Sequence, residues 1–203
     1  LKQSKATPEK QAWTRRAQDA DTAGNWAEVA RLVRQNPQFV REAERIADMD
    51  YAPSRDYDDL FNTAFPELSQ VRDLVKTLRL AAVAAASRQD IEGALSALVR
   101  MRKVAAFPDS DPSIIASLVQ IAAEAIRMRT IDDISEEWAD RPQLLRALGE
   151  RMQPALVPNL ANAFRAEFYM GVALLRNVEP DADLKKLVEV DSGGEPPKVT
   201  VTK

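Results

Sequence analysis

The sequence predicts an all-α fold, an irregular helical-hairpin bundle of about seven to nine helices with a short extended C-terminal tail. Apolar residues recur at steps of three and four along most of the 203 residues, which is the spacing of a buried helix face. Short polar breaks at residues 90–93 and 108–112 require neighbouring helices to fold back on each other. Strand-type alternation is confined to residues 198–203.

The first fifty residues predict three short helices. Thr7 caps the first helix and Gly24 closes it, since glycine tolerates the backbone that ends a helix. Asn25 caps the second helix, with Glu28 as the reciprocal half of a capping box. The Asn-Pro pair at residues 36–37 begins the third.

Residues 71–129 give the strongest signal, because three apolar-striped helices follow one another there. Pro66 begins the first of them. The predicted core stripes are Val71, Leu74, Val75, Leu78, Ala81, Ala82 and Ala85, then Ile91, Ala94, Leu95, Leu98 and Met101, then Ile115, Leu118, Ala122 and Ala125. The polar row of Gln120, Glu124 and Arg127 lies opposite the third stripe, so it is expected to face solvent.

Three further helices are predicted towards the C-terminus. Thr130 and Asp133 suggest a capping box that starts a brief new helix, and residues 140–152 and 159–177 suggest two more. The stripe of the last helix is Leu160, Ala163, Phe164, Phe168, Val172 and Leu175. We expect residues 1–178 to form a single α-helical domain, with 1–50 and 51–178 as candidate sub-units, and residues 179–203 to be linker-like.

The amino-acid composition excludes several classes of catalytic and metal-binding site. The chain has no histidine and no cysteine, which removes thiolate nucleophiles, imidazole acid-base relays and zinc or haem sites built on those ligands. A net charge of -3, from 28 Lys and Arg against 31 Asp and Glu, provides no field for nucleic acid. We therefore predict no nucleic-acid partner, no cofactor and no catalytic or metal-binding residue.

One acidic segment invites comparison with a calcium loop. With Asp48 as position 1, Asp59 falls at position 12, but Pro53 stands where the loop needs glycine and Asp59 replaces the bidentate glutamate. Helix caps and solvated charge explain these acids better.

A basic patch is a second candidate, formed if two helix ends meet and suited to an anionic partner or a membrane surface. Its residues are Arg100, Arg102, Lys103, Arg127 and Arg129. Cations near helix C-termini are also expected on dipole grounds alone.

The hairpin of residues 78–105 has weak tetratricopeptide-like character. It carries small residues at helix contacts and the Gly93-Ala94 step of such hairpins, and residues 25–28 with Pro37 resemble the second helix of a repeat. The spacing does not recur at 34 residues, so a helical-hairpin bundle is favoured over a regular solenoid.

Residues 50–130 contain a further set of motif residues, namely Asp56, Tyr57, Phe61, Pro66, Leu68, Arg72, Leu74, residues 78–81, Gly93-Ala94, Leu98 and residues 115–122. In these residues the chain resembles a family of uncharacterised helical proteins from environmental bacteria. The resemblance implies a helical ectodomain behind an N-terminal membrane-spanning or export segment, and it transfers no catalytic residue. An exported or periplasmic, membrane-tethered location is accordingly favoured over the cytoplasm.

The motif Asp56, Tyr57, Phe61 and Arg72 has a structural interpretation. Asp56 would cap a short helix and pair with Arg72, with Tyr57 packed beside the pair. We expect the chain to be a non-enzymatic protein-interaction or scaffold domain with no membrane span in this sequence. The alternatives are a carboxylate-dependent hydrolase or lyase centred on Asp56, Tyr57 and Arg72, and an apolar-ligand carrier with a cavity between the helices.

Overall fold

The computed structural model of the chain describes residues 7–49, 66–110 and 113–177. These residues form eight α-helices and no strand, so the predicted all-α class is confirmed. The helices are α1 (Pro8–Thr22), α2 (Trp26–Gln35), α3 (Pro37–Ala47), α4 (Pro66–Ala86), α5 (Ile91–Ala105), α6 (Ile114–Glu137), α7 (Pro142–Arg151) and α8 (Leu160–Asn177), with a 3-10 turn at Phe107–Ser110. The predicted C-terminal tail lies outside the described residues.

The chain divides into two compact units, Leu1–Glu167 and Phe168–Lys203. The first unit contains α1 to α7 and the start of α8. The second is described only as far as residue 177, and in it the rings of Phe168 and Tyr169 meet edge to face with centroids 6.0 Å apart. The predicted domain boundary after residue 178 lies outside the described residues.

Two caps and one glycine act in the N-terminal helices as predicted. Thr7 Oγ1 accepts a hydrogen bond from the Lys10 N–H at 3.3 Å, and Asn25 Oδ1 accepts one from the Glu28 N–H at 3.1 Å. Gly24 adopts a φ of +68°, the left-handed conformation that ends α1 without a Cβ penalty.

The prediction that Glu28 completes a capping box with Asn25 is wrong. The Asn25 N–H donates to the carbonyl of Ala20 at 2.9 Å, so the end of α1 already satisfies it. The Glu28 carboxylate binds Arg31 instead, and this hydrogen bond holds the pKa of Glu28 below its usual range.

Helix α4 is central to the first unit, where it contacts α1, α2, α3, α5 and α6. Residues 82–86 are all buried, because a run of alanines and one valine lets helices approach from several sides. The turn at residues 87–90 returns α5 along α4, and Leu78 and Leu98 are buried between them, as predicted.

A second apolar cluster joins α1, α2 and α3 to α4. Its rings of Trp13 and Phe39 lie 5.1 Å apart, and Leu80 and Val83 of α4 belong to the same cluster. The Trp13 Nε1–H donates to the carbonyl of Leu32 at 3.1 Å, so the buried indole is satisfied.

Helix α6 is one continuous helix, and the prediction that Thr130 starts a new one is wrong. Thr130 Oγ1 donates to the carbonyl of Ile126 at 2.7 Å, one turn back in the same helix. At the end of α6 the Trp138 Nε1–H donates to the carbonyl of Ala86 at 3.1 Å. The C-terminal ends of α6 and α4 are thereby joined.

Candidate functional site

Between residues 115 and 128 the exposed side of α6 is apolar, which reverses the sequence prediction for that stretch. Further along the helix the exposed residues are charged, namely Arg129, Asp132, Glu136 and Glu137. The stripe that was expected in the core faces solvent, with Leu118 exposed by 56% and Ile115 by 48%. Ile121 and Met128 flank it and are also exposed. We call this surface the α6 apolar face, and its residues are Ile115, Leu118, Ile121, Ala122, Ala125 and Met128.

The prediction that the polar row of α6 faces solvent is wrong too, because the row lies on the buried side of the helix, together with Ala116, Ala123 and Ile134. Gln120, Glu124 and Arg127 are exposed by only 3%, 4% and 1%. Burying charges is costly unless they are paired and hydrogen-bonded. The reason for the reversal must therefore lie in the partners of these side chains.

Glu124 and Arg127 form a buried ion pair that also binds a non-helical stretch of backbone. Arg127 Nη2 lies 2.6 Å from Glu124 Oε1, and the same nitrogen donates to the carbonyl of Gln153 at 3.2 Å. Glu124 Oε1 accepts a hydrogen bond from the Leu156 N–H at 3.1 Å. The pair thus supplies hydrogen-bond partners to backbone groups of residues 152–159. This stretch lies between α7 and α8 and has no helical backbone hydrogen bonds of its own.

Arg102 of α5 reinforces this arrangement, because its Nε–H donates to the carbonyl of Pro154 at 3.2 Å. Two helices therefore hold the stretch between α7 and α8 through side-chain hydrogen bonds. Helix α6 turns Glu124 and Arg127 inward to make its share of these bonds, and the apolar residues on the opposite side of residues 115–128 are left at the surface.

The five cations of the predicted basic patch do not share one open surface. Arg127 is buried, and Arg102 donates to a backbone carbonyl. Arg129 lines a cleft formed by α1, α4 and α6, which is described below. Arg100 lies 3.0 Å from Asp48, and Lys103 Nζ lies 3.7 Å from the same carboxylate. The hydrogen bond from Arg100 holds the pKa of Asp48 below its usual range, with Lys103 adding a smaller effect.

A polar cleft of about 770 Å³ is lined by residues of α1, α4 and α6. At its floor Arg79 binds Asp21 at 2.6 Å, Asp133 at 2.7 Å and the Thr130 hydroxyl at 3.2 Å. Burial opposes the charge of Arg79, but the hydrogen bonds to Asp21 and Asp133 outweigh it and raise its pKa. The other lining residues include Gln18, Trp26, Lys76, Arg129, Glu136 and Glu137.

The chemistry of this cleft does not favour a reaction centre or an apolar ligand. The guanidinium of Arg79 is already occupied by two carboxylates and a hydroxyl, so it is not free to hold a substrate anion. Polar and charged residues also make up most of the lining, with Trp26, Leu80 and Ile126 as its large apolar members, whereas a lipid or other apolar ligand needs predominantly apolar walls.

The motif centred on Asp56 is only partly described. Asp56, Tyr57 and Phe61 lie outside the described residues, and Arg72 is an exposed residue of α4. The predicted Asp56 cap and its pairing with Arg72 remain predictions.

The predicted stripe of α8 is largely exposed within the first unit. Only Ala163 is buried there, while Phe164 is exposed by 61% and Leu160 by 38%. Glu167 Oε1 accepts a hydrogen bond from the Ile114 N–H at 3.1 Å and so satisfies a free donor at the start of α6.

None of the helices in the described ranges is long and apolar enough to cross a membrane. No protein-family model matches the chain, and no curated protein or solved structure matches it either. The resemblance noted for residues 50–130 therefore stays a prediction.

Proposed function

We propose that this chain is a protein-interaction domain and that the α6 apolar face is its binding surface. The observation that carries the proposal is the exposure of four large apolar side chains in a row on one helix, namely Ile115, Leu118, Ile121 and Met128. Single exposed apolar residues are ordinary on protein surfaces, whereas a contiguous row indicates a surface that a partner covers.

The burial of the polar row supports the same proposal. An α6 rotated about its axis would hide the apolar residues and solvate Glu124 and Arg127. The hydrogen bonds to Gln153 and Leu156 oppose that rotation. The apolar face is therefore a fixed feature of the fold.

The resemblance adds a proposal about location, in which the domain is exported and held at a membrane by a segment upstream. Such a tether would present the α6 apolar face to other proteins at the same surface. The weak tetratricopeptide-like character of residues 78–105 agrees with an interaction role, since helical hairpins of that kind bind proteins.

Site-specific photo-cross-linking tests the proposal in cells that produce the protein. A benzophenone side chain at Leu118 should give discrete adducts with another polypeptide, because Leu118 is the most exposed residue of the row. The control is the same group at Gln143, an exposed polar residue of α7. Identical adducts at both positions, or none at Leu118, would contradict an interaction through α6.

A broad hydrolase and lyase screen tests the enzymatic alternative. Turnover that disappears in Asp56→Asn or Arg72→Ala, with folding retained, would replace the interaction proposal by an enzyme centred on that motif.

A further inference from the structure

We propose that α5 and α6 form a binding site for an extended, proline-containing segment of another polypeptide, and that residues 152–159 occupy this site in cis. We call residues 152–159 the strap. The site lies on the side of α6 opposite the α6 apolar face, so the inference goes beyond the proposed function and does not depend on it.

The strap has the conformation of a peptide ligand. It lies in no helix or strand, and Met152 has a φ of −72° and a ψ of 129°, close to polyproline II geometry. Pro154 and Pro158 restrict the residues before them to the extended region. An extended segment of this kind has no internal hydrogen bonds, so its backbone groups are available to a neighbouring surface.

Two arginine side chains bind adjacent carbonyls of the strap. Arg127 Nη2 donates to Gln153 and Arg102 Nε donates to Pro154, both at 3.2 Å. Both bonds go to the main chain and therefore do not depend on the side chains of the strap. Proline fits the second position because only its carbonyl is used.

A third backbone bond and two apolar side chains set the register. Glu124 Oε1 accepts a hydrogen bond from the Leu156 N–H at 3.1 Å. The side chains of Met152 and Leu156 are partly buried and pack against the main core cluster, whereas Gln153 and Ala155 are exposed. The site therefore fits the pattern apolar-x-Pro-x-apolar, which a segment of another polypeptide can also provide.

The buried ion pair suits a site whose occupant can be exchanged. Glu124 and Arg127 are exposed by only 4% and 1% and bind each other at 2.6 Å. A buried ion pair stabilises a fold little more than an apolar pair of similar size, so stability alone does not explain it. Because each charge keeps the other as its partner, neither is left unpaired when the strap is replaced.

Few other contacts hold the strap and the start of α8. Val157 is exposed by 87%, and in α8 as far as Glu167 only Ala163 is buried. Glu167 accepts a hydrogen bond from the Ile114 N–H, which is the other described polar contact of this part of α8 with α6. Upstream, buried Leu148 fixes α7 to the core. The strap can therefore open while the helices before it stay folded.

Fluorescence polarisation with a labelled peptide of residues 151–159 tests the site on the full chain. The wild type should bind weakly, because its own strap competes and only the open fraction binds. Leu156→Ser weakens the cis contact and should raise the affinity for the peptide at least tenfold. Val157→Ser is the matched control in the same strap and should bind like the wild type. No binding to the Leu156→Ser chain, or an equal gain in Val157→Ser, overturns the proposal.

Changes in the peptide test the contacts themselves. N-methylation of its Leu156 nitrogen removes the donor to Glu124 and should weaken binding at least tenfold, whereas Gln153→Ser in the peptide should change it less than twofold. Equal affinity of the methylated peptide overturns the proposed site. Leu118→Gln in the Leu156→Ser chain should leave peptide binding unchanged, because Leu118 lies on the opposite side of α6. A loss of binding in that variant would place the peptide on the α6 apolar face and overturn the site proposed here.

Hydrogen exchange of the wild type tests the opening of the strap without any substitution. The Leu156 N–H should exchange through local opening, with a protection factor at least 100-fold below that of the Leu98 N–H in the core. Equal protection at the two positions would show that the strap opens only when the whole chain unfolds, and it would overturn the proposal.

Discussion

Helices α5 and α6 both carry an apolar stripe at helical spacing, yet α5 buries its stripe and α6 exposes it. In α5, Leu98 and Met101 are enclosed by the rest of the bundle. In α6, Leu118 is exposed, while Glu124 and Arg127 occupy the buried side. The difference shows that hydrogen-bonding demand from a neighbouring segment can decide which side of a helix faces inward where the apolar pattern selects neither side.

Removal of one partner of the buried Glu124–Arg127 ion pair should give the largest loss of stability, and it tests why α6 buries these residues. Glu124→Ala leaves Arg127 buried without a carboxylate and the Leu156 N–H without an acceptor, so the free energy of unfolding should fall by about 3–5 kcal/mol. Chemical denaturation measures this change.

The double variant Glu124→Met, Arg127→Met is the control for that experiment. It removes both charges together. The free energy of unfolding that it loses should therefore be well below the sum of the losses in Glu124→Met alone and Arg127→Met alone. Additive losses would show that the two side chains act independently and would refute the pair as the reason for the orientation of α6.

The two stripes can be compared directly with one substitution in each. Leu98→Ala should lower the free energy of unfolding by roughly 2–5 kcal/mol, because a cavity forms in the core. Leu118→Ala, measured at a concentration where the chain is monomeric, should change it by no more than about 0.5 kcal/mol. Similar losses at both positions would mean that Leu118 is a core residue.

Two helical glycines, Gly93 at the start of α5 and Gly149 in α7, are expected to give a smaller effect. Gly149→Ala in α7 meets no atom within 4 Å and should stabilise the chain by about 0.5–1 kcal/mol through helix propensity. At Gly93 a Cβ would clash with Asp90 Oδ2 and lie 3.1 Å from Ala85 Cβ, and Asp90 caps α5 through the Gly93 N–H.

Gly93→Ala should therefore forfeit the usual gain and lie at least about 1 kcal/mol below Gly149→Ala in thermal or chemical unfolding. An equal gain at both glycines would show that the Asp90 cap and the close contact with Ala85 contribute nothing.

The exposed side of α5 carries charged residues, unlike the α6 apolar face. The free energy of unfolding should therefore depend on pH through an ion pair on this side. The folded-state pKa of Asp48 is lowered by its hydrogen bond with Arg100, so the stabilising contribution is present above the unfolded value near 3.8 and is lost as the pH falls through the folded value. Both side chains are partly solvated, so the contribution should be only about 0.2–1 kcal/mol.

The stability difference between the wild type and Asp48→Asn should therefore shrink as the pH is lowered from 6 to below about 4. A difference that stays constant across this range would show that Asp48 acts through something other than its charge.

The sequence predicts the helical class, the caps at Thr7 and Asn25 and the core of the α4–α5 hairpin, because these depend on residues close together in the chain. It fails on the orientation of α6 for a physical reason. Apolar residues occur all round that helix, so periodicity does not select one side. The choice is made by the Gln153 carbonyl and the Leu156 N–H, which lie 26 and 32 residues away from their partners in sequence.

One sequence signal pointed towards the buried pair. Glu124 and Arg127 have opposite charges three residues apart, and Ala116 and Ala123 lie on the same side of α6. Small residues beside a charged pair are typical of a side that a neighbour approaches closely. The polar cleft had no comparable signal, since Arg79 and Asp21 are 58 residues apart.

Thiol accessibility tests the orientation of α6 most directly, because the native chain has no cysteine to interfere. Leu118→Cys and Gln120→Cys place single thiols on opposite sides of the helix, and each is labelled with a maleimide under native conditions at a concentration where the chain is monomeric. The thiol at 118 should react at the rate of an unfolded control, and the thiol at 120 at least about 100-fold more slowly. Rapid labelling at 120 with protection at 118 would show that α6 buries its apolar stripe after all.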